Sequence, residues 1–132
     1  MQIVTPEGWT DPIGHANGIV VDAGRIVSTA GQVGWNEHQK FESEEIVPQF
    51  RQALKNILAV LKQAGGEAHH ICRMTAYCCD KPAYMAARRQ LGAVWRELMG
   101  THYPAMSMIF VSDLLDNPGK IELEATAVVP IS

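Results

Sequence analysis

Over residues 121–129 the chain alternates strictly. Ile121, Leu123, Ala125, Ala127 and Val129 are apolar, and Glu122, Glu124 and Thr126 fall between them. Successive side chains of a strand point to opposite faces, so this period of two predicts a strand with one face in a core and two carboxylates on the other. Burying an uncompensated carboxylate is expensive. The glutamate face must therefore meet water, an opposing charge or a ligand. Helical spacing governs two other stretches. Phe50, Leu54, Ile57, Leu61 and Ala64 fall at steps of three and four and predict a helix from about Glu45 to Ala64. Pro48 fits in its first turn, where a missing donor is tolerated, and Gly65-Gly66 supplies the stop. A second helix follows Asp80 as N-cap, with Pro82 in its first turn, and runs to about Met99 before Gly100. Its stripe is Tyr84, Leu91, Trp95 and Leu98. Arg88 falls inside that stripe and is expected to have a partner.

The remaining elements are strands. Arg25–Ala30, bracketed by Gly24 and Gly31, reads as a strand with Ile19-Val20-Val21 as its hairpin partner across Asp22-Ala23-Gly24. Gly31–Ser43 reads as a loop. Ile71–Cys79 alternates, with Cys72, Met74, Ala76 and Cys78 on one face and Arg73, Thr75 and Tyr77 on the other. Met106–Val111 is apolar on both faces, as in a strand covered on both sides. Asp113–Gly119 is a turn. The order is strand, strand, helix, strand, helix, strand, strand, an α+β arrangement. Two helices cover one face of such a sheet, and the other face is too apolar to stay exposed. A homo-oligomer whose sheets share an interior resolves the conflict.

The length of 132 residues predicts a single domain over 1–132. Net charge is −3, and Arg88-Arg89 is the longest cationic cluster, so no nucleic-acid partner is expected. No apolar run reaches the roughly 18–20 residues of a membrane span, and Met1–Pro6 carries no leader signature, which predicts a cytoplasmic protein with no membrane partner. Cys72, Cys78 and Cys79 are odd in number and lack zinc-ligand spacing, so they read as structural thiols and no metal is expected.

Several segments together resemble the Rid (YjgF/YER057c/UK114) family of reactive-intermediate deaminases. They are Ala30-Gly31-Gln32-Val33, Gln63-Ala64-Gly65, Arg73-Met74-Thr75-Ala76-Tyr77, Pro104-Ala105-Met106-Ser107 and Ile121-Glu122-Leu123-Glu124-Ala125. The resemblance runs from Ile13-Gly14 to Val129. It implies a chorismate-mutase-like (YjgF-like) fold, a mixed sheet with two helices on one face. It also implies a barrel-cored homotrimer with ligand clefts between subunits. Active members hydrolyse enamines and imines to a carbonyl compound and ammonia without a metal or organic cofactor. Two positions depart from the family pattern. Met106 stands where active members carry an arginine that clamps the substrate carboxylate, and His15-Ala16 stands where they carry proline-tyrosine.

By this resemblance Glu122 is the cleft glutamate that holds and polarises the attacking water, while residue pattern alone allows a solvated strand glutamate. Gly31 matches a cleft glycine, with a plain turn glycine as the alternative. Trp35 either walls a pocket for a flat ligand or caps the core. Arg88 and Arg89 are the candidates to replace the lost clamp, or are arginines whose stems pack while their heads reach water. Tyr103, Ser107 and His15 complete the candidate substrate-binding set. The expected function is cofactor-independent deamination of an imine or enamine. Pro6–Gly14 and Gly34-Trp35-Asn36 resemble the 2-aminomuconate deaminases, which act on dicarboxylated enamines. The alternative is a catalytically silent trimer that binds a small metabolite or a partner protein.

Overall fold

The computed structural model describes residues 1–131. The elements are β1 (Gln2–Val4), β2 (Gly18–Val20), β3 (Arg25–Ser28), β4 (Gln32–Val33), α1 (Ile46–Gln63), β5 (Ile71–Cys78), α2 (Lys81–Met99), β6 (Ala105–Phe110) and β7 (Ile121–Val129). A 3-10 turn, Ala68–His70, leads into β5. The main sheet runs β3-β7-β5-β6, with β4 also paired to β7. It is mixed: β5 and β6 are parallel, and β7 is antiparallel to β3, β4 and β5.

Both helices start and stop where the sequence places them. Glu45 and Ala64 flank α1, and the Gly66 amide closes the last turn onto the Leu61 carbonyl at 2.7 Å. The Asp80 carboxylate accepts the Ala83 amide of α2 at 3.0 Å. Phe50, Leu54, Ile57 and Leu61 of α1 are buried against Ile121, Leu123, Ala125 and Ala127 of β7 and Met74, Ala76 and Cys78 of β5. The alternation of β7 is complete, with every odd-numbered residue buried and every even-numbered one partly open.

Four expectations need correction. Strand β2 does not pair with β3. It pairs with β1, which the sequence pattern missed, in a separate two-stranded ribbon. The turn before β3 explains this. A Cβ at Gly24, whose φ is +149°, would lie 2.8 Å from the Val129 carbonyl oxygen, so only glycine lets the chain swing onto β7. The stretch read as a loop after Gly31 contains β4, held in the sheet by pairing of Gln32 with Leu123 and Val33 with Glu122. Cys72 does not share the buried face of β5. A bulge between Ile71 and Arg73 places Ile71 there instead. Finally, β6 is an edge strand covered on one side within the chain. Met106 and Met108 pack toward the core, while Ser107 and Ile109 share the helix-free face with Thr75 and Tyr77.

Candidate functional site

Two clusters of chemically useful side chains lie on opposite faces of the sheet. The first surrounds Glu122, the second residue of β7, which sits between Val33 of β4 and Tyr77 of β5 on the helix-free face. Among the described residues its carboxylate has no hydrogen-bond or ion-pair partner. Burial pushes its pKa above the usual carboxylate value, and the charges of Asp116 and Glu124 push in the same direction. Glu124 behaves differently: its Oε1 accepts the Tyr77 hydroxyl at 2.8 Å, and that bond raises the Tyr77 pKa. The strand therefore carries one tethered glutamate and one untethered glutamate.

Gly31 explains how Glu122 is held. A Cβ built on Gly31 would meet the Glu122 side chain, 2.8 Å from its Cδ and closer still to Oε2. The carboxylate lies flat against the glycine backbone, in space that any side chain would fill. This requirement is steric, since the Gly31 backbone is not in the left-handed region. Its position is set by Thr29, whose amide donates to the Ala125 carbonyl at 2.9 Å and whose Oγ1 accepts the Ala125 amide at 3.0 Å.

The second cluster lies on the helix side, at the edge of the sheet. A cavity of about 430 Å³ is formed between α2, β6 and the Ile13-Gly14 loop. Tyr84, Trp95 and Tyr103 supply aromatic walls, Met106 and Met108 supply flexible apolar surface, and Arg88 and Arg96 supply positive charge. The Tyr103 ring stacks on Trp95 at 5.9 Å and 12°. The loop is pinned there by the Ala16 amide, which donates to the Pro104 carbonyl at 3.0 Å. Arg88 has no partner among the described residues and is exposed. The partner expected from its place in the apolar stripe is thus not supplied by the described residues. The helix is rotated so that Ala87, Leu91, Val94, Trp95 and Met99 are buried, which leaves Arg88 at the stripe's border.

The other candidates are dispersed. Arg89 lines an adjoining hollow with Arg88, Gly92 and Arg96. Trp35 packs on Phe41, with ring centroids 5.7 Å apart, and lines a separate hollow beside α1 with Gln32 and Asn56. Ser107 is on the helix-free face opposite Thr75, separated from β7 by β5. The His15 ring lies within hydrogen-bond distance of the Ile13 carbonyl, 3.2 Å, and so tightens the loop. Glu67, His69 and His70 gather possible metal-ligand atoms within 4.8 Å, but His70 Nδ1 accepts the Glu67 amide at 3.0 Å, so this cluster caps the 3-10 turn. Gln49, Gly92 and Arg96 escaped the sequence reading. Gln49 looks like an outlying polar residue of α1, and only a helical-wheel reading from Arg88 through Gly92 to Arg96 would have drawn attention to that face.

Single-chain geometry does not bring Glu122 and the arginines together, because the sheet stands between them. No helix among the described residues is long and apolar enough to cross a membrane.

The chain is similar to known proteins over most of its length. The family model described as Endoribonuclease L-PSP matches residues 10–129. A RutC family protein of Pasteurella multocida is 32% identical over 108 residues, which are 82% of this chain and 83% of that protein. The 2-iminobutanoate/2-iminopropanoate deaminase of Escherichia coli K12 is 31% identical, over 82% of this chain and 83% of that enzyme. Among solved structures, the Rid-family protein YyfB of Yersinia pestis superposes with a TM-score of 0.85 at 29% identity, covering 97% of this chain and 98% of that one. Escherichia coli TdcF with bound serine gives 0.66 at 27% identity, covering 97% and 98%. With its sheet order, its two helices on one face and a match spanning nearly its whole length, the chain belongs to the endoribonuclease L-PSP family, the Rid/YjgF proteins.

Proposed function

We propose that the protein is a hydrolytic deaminase of imine or enamine metabolites, and that Glu122 is its catalytic group. The observation that carries this reading is the untethered carboxylate of Glu122, laid against Gly31 and raised in pKa. Relatives at 31–32% identity named as 2-iminobutanoate/2-iminopropanoate deaminases support the reaction type.

The chemistry needs one positioned water and one proton relay. Ionised Glu122 accepts a proton from water as the oxygen bonds to the imine carbon. The carbon–nitrogen π pair moves to nitrogen, which takes the proton back from Glu122. The hydroxyl proton of the resulting carbinolamine then passes by way of Glu122 to the amine nitrogen, the carbonyl forms, the carbon–nitrogen bond breaks and ammonia leaves, with Glu122 ionised again. An enamine first takes a proton on carbon and becomes the imine. Neither metal nor organic cofactor enters this scheme. Free Cys72, Cys78 and Cys79 suit a reducing cytoplasmic setting.

A homotrimer is part of the proposal, because the two clusters can meet only between copies. Ile13, at the mouth of the α2 cavity, is 94% exposed. Leu115, next to the Asp116 whose charge acts on Glu122, is 92% exposed. A neighbour covering both would place its Glu122 opposite this chain's cavity. The cleft would then be built from Glu122 and Gly31 of one copy and Tyr103, Arg88 and the Ile13-Gly14-His15 loop of the next. Sedimentation should give a mass three times 14.5 kDa, and a 14.5-kDa species at micromolar concentration would refute the shared cleft.

The deciding assay is ammonia release from 2-iminopropanoate and from 2-aminomuconate, the extended dicarboxylate. Activity should rise with pH as Glu122 ionises, with an acid limb above the usual carboxylate range. No release from either compound would leave the silent metabolite-binding trimer as the better account. Gly31→Ala should displace the carboxylate and lower turnover by about 100-fold, the scale of a misplacement near 1 Å. Its denaturation midpoint should stay close to that of the parent, since alanine suits the Gly31 backbone. Unchanged turnover in that variant would dissociate Glu122 placement from catalysis.

A further inference from the structure

We infer that Tyr77 is a positioning residue for Glu122: its hydroxyl holds Glu124 in place and so keeps the second carboxylate of β7 away from the one that activates water. The assignment rests on the deaminase reading and names the residues that let one glutamate of a neighbouring pair work alone.

Glu122 and Glu124 are alternate residues of β7 and so share its helix-free face. Two carboxylates on flexible stems in that relation can approach one another. Each then raises the other's pKa, and the two titrate as a coupled pair. A general base in such a pair keeps its proton to higher pH than it would alone.

Register supplies the restraint. Tyr77 of β5 lies directly opposite Glu122, and Thr75 lies opposite Glu124. Diagonal neighbours across an antiparallel pair are about 7–8 Å apart, within reach of an aromatic side chain. Tyr77 takes the diagonal, and its hydroxyl donates to Glu124 Oε1 at 2.8 Å. Its ring therefore runs from the level of Glu122 to that of Glu124, alongside both stems. The hydroxyl responds to both glutamates. The hydrogen bond to Glu124 raises the Tyr77 pKa most, burial follows, the charges of Glu124 and Glu122 add to it, and Arg73 opposes. Tyr77 thus stays a protonated donor throughout the neutral range.

Glu124 has no competing anchor. Arg73 and Glu124 line one hollow of about 270 Å³ with Ser28, Thr75 and Thr126. Yet among the described residues Arg73 makes no ion pair, and the Tyr77 hydroxyl is the one hydrogen-bond partner of the Glu124 side chain. A single neutral hydroxyl fixes this carboxylate. On its other sides Glu122 meets the Gly31 backbone, the uncharged Val33 of β4, and the charge of Asp116 from the turn before β7. Lys120 is engaged by Asp80 at 3.4 Å. Burial is the largest cause of the raised Glu122 pKa, Asp116 comes next, and Glu124 is the smallest. That order fits a second carboxylate held at a distance. Cutting the tether would enlarge the last contribution.

Carbon-13 NMR titration of the glutamate carboxyls, with the Glu122 signal assigned by its loss in Glu122→Gln, reads this coupling without any assay of activity. The acid limb of ammonia release reads it again in turnover. Tyr77→Phe keeps the ring and removes the tether. It should move the Glu122 midpoint, and the acid limb with it, to higher pH by about half a pH unit, the scale of two like charges meeting in partly solvated surroundings. Glu124→Gln keeps the shape and removes the charge, and should move both to lower pH by a smaller step. In the Glu124→Gln background Tyr77→Phe should have no further effect, since its partner no longer carries a charge. A tyrosine that served the fold alone would change the denaturation midpoint and leave the titration where it was. An unmoved Glu122 midpoint in Tyr77→Phe, the same upward move in the double variant, or a midpoint that Glu124→Gln fails to lower overturns the inference. Titrations that behave as expected in a protein that hydrolyses no imine would remove the deaminase reading alone. Imine hydrolysis with an acid limb indifferent to Tyr77→Phe would remove this one alone.

Discussion

Glu122→Gln is expected to lower ammonia release by about 10²–10⁴-fold, the usual contribution of a positioned general base. The substitution keeps the shape of the side chain and its place against Gly31 but removes the proton acceptor. It should also abolish the acid limb of the pH profile, which a purely structural role would not do. Its effect on stability should run the other way. Burial, Asp116 and Glu124 all disfavour the ionised form of Glu122 in the folded state. A carboxyl group with a raised folded pKa costs stability as pH climbs through its unfolded pKa toward its folded one, and the cost persists at neutral pH. At pH 7 the glutamine variant should therefore melt at or above the parent temperature. At a pH well below the ordinary carboxylate value the difference should vanish. A variant that is inactive because it melts early would point to a structural glutamate and remove the catalytic assignment.

Gln49→Leu is expected to give the largest loss of stability among polar substitutions in this chain, on the order of 3 kcal/mol. Gln49 is 1% exposed, on the buried face of α1. Its amide nitrogen donates to the carbonyls of Ser43 at 3.1 Å and Pro118 at 3.0 Å, and its Oε1 accepts the Lys120 amide at 2.7 Å. Leucine fills a similar volume but leaves two carbonyls and one amide without their partner, and each unmet buried group costs about 1–3 kcal/mol. The consequence reaches the candidate site, because Lys120 is two residues from Glu122. Gly34, just past β4, also rests on the Gln49 backbone: a Cβ at Gly34 would lie 2.5 Å from the Gln49 Cα. Urea denaturation at fixed protein concentration measures the loss. A change below about 1 kcal/mol would mean that water replaces Gln49 on all three groups.

Local pattern was a reliable guide where the physics is local. The stripe through Phe50, Leu54, Ile57 and Leu61, the Asp80 cap and the alternation of Ile121–Val129 all appear as read. Each depends on residues within a turn or two of one another. Pairing is different, because it depends on which strands are available. Ile19 and Val20 look like a partner for Arg25–Ser28, yet the nine-residue length of β7 offers a better edge, and Gly24 lets the chain reach it. Likewise Gln32-Val33 is too short to carry a period, and it becomes a strand only because β7 lies beside it.

The same division holds for the site. Glu122 stands out in the primary structure because a glutamate alternates with core residues. Its separation from Glu124 in role is invisible there, since both occupy the same face of one strand. Only the tertiary structure shows that Tyr77 tethers Glu124, that Gly31 makes room for the Glu122 carboxylate, and that Arg96 turns back over Gly92. Sequence alone determined the helices, the two-faced last strand and the family, because periodicity, caps and motif order are written along the chain. The fold decided which strands pair and which glutamate remains untethered, because those outcomes depend on distances between residues far apart in the chain.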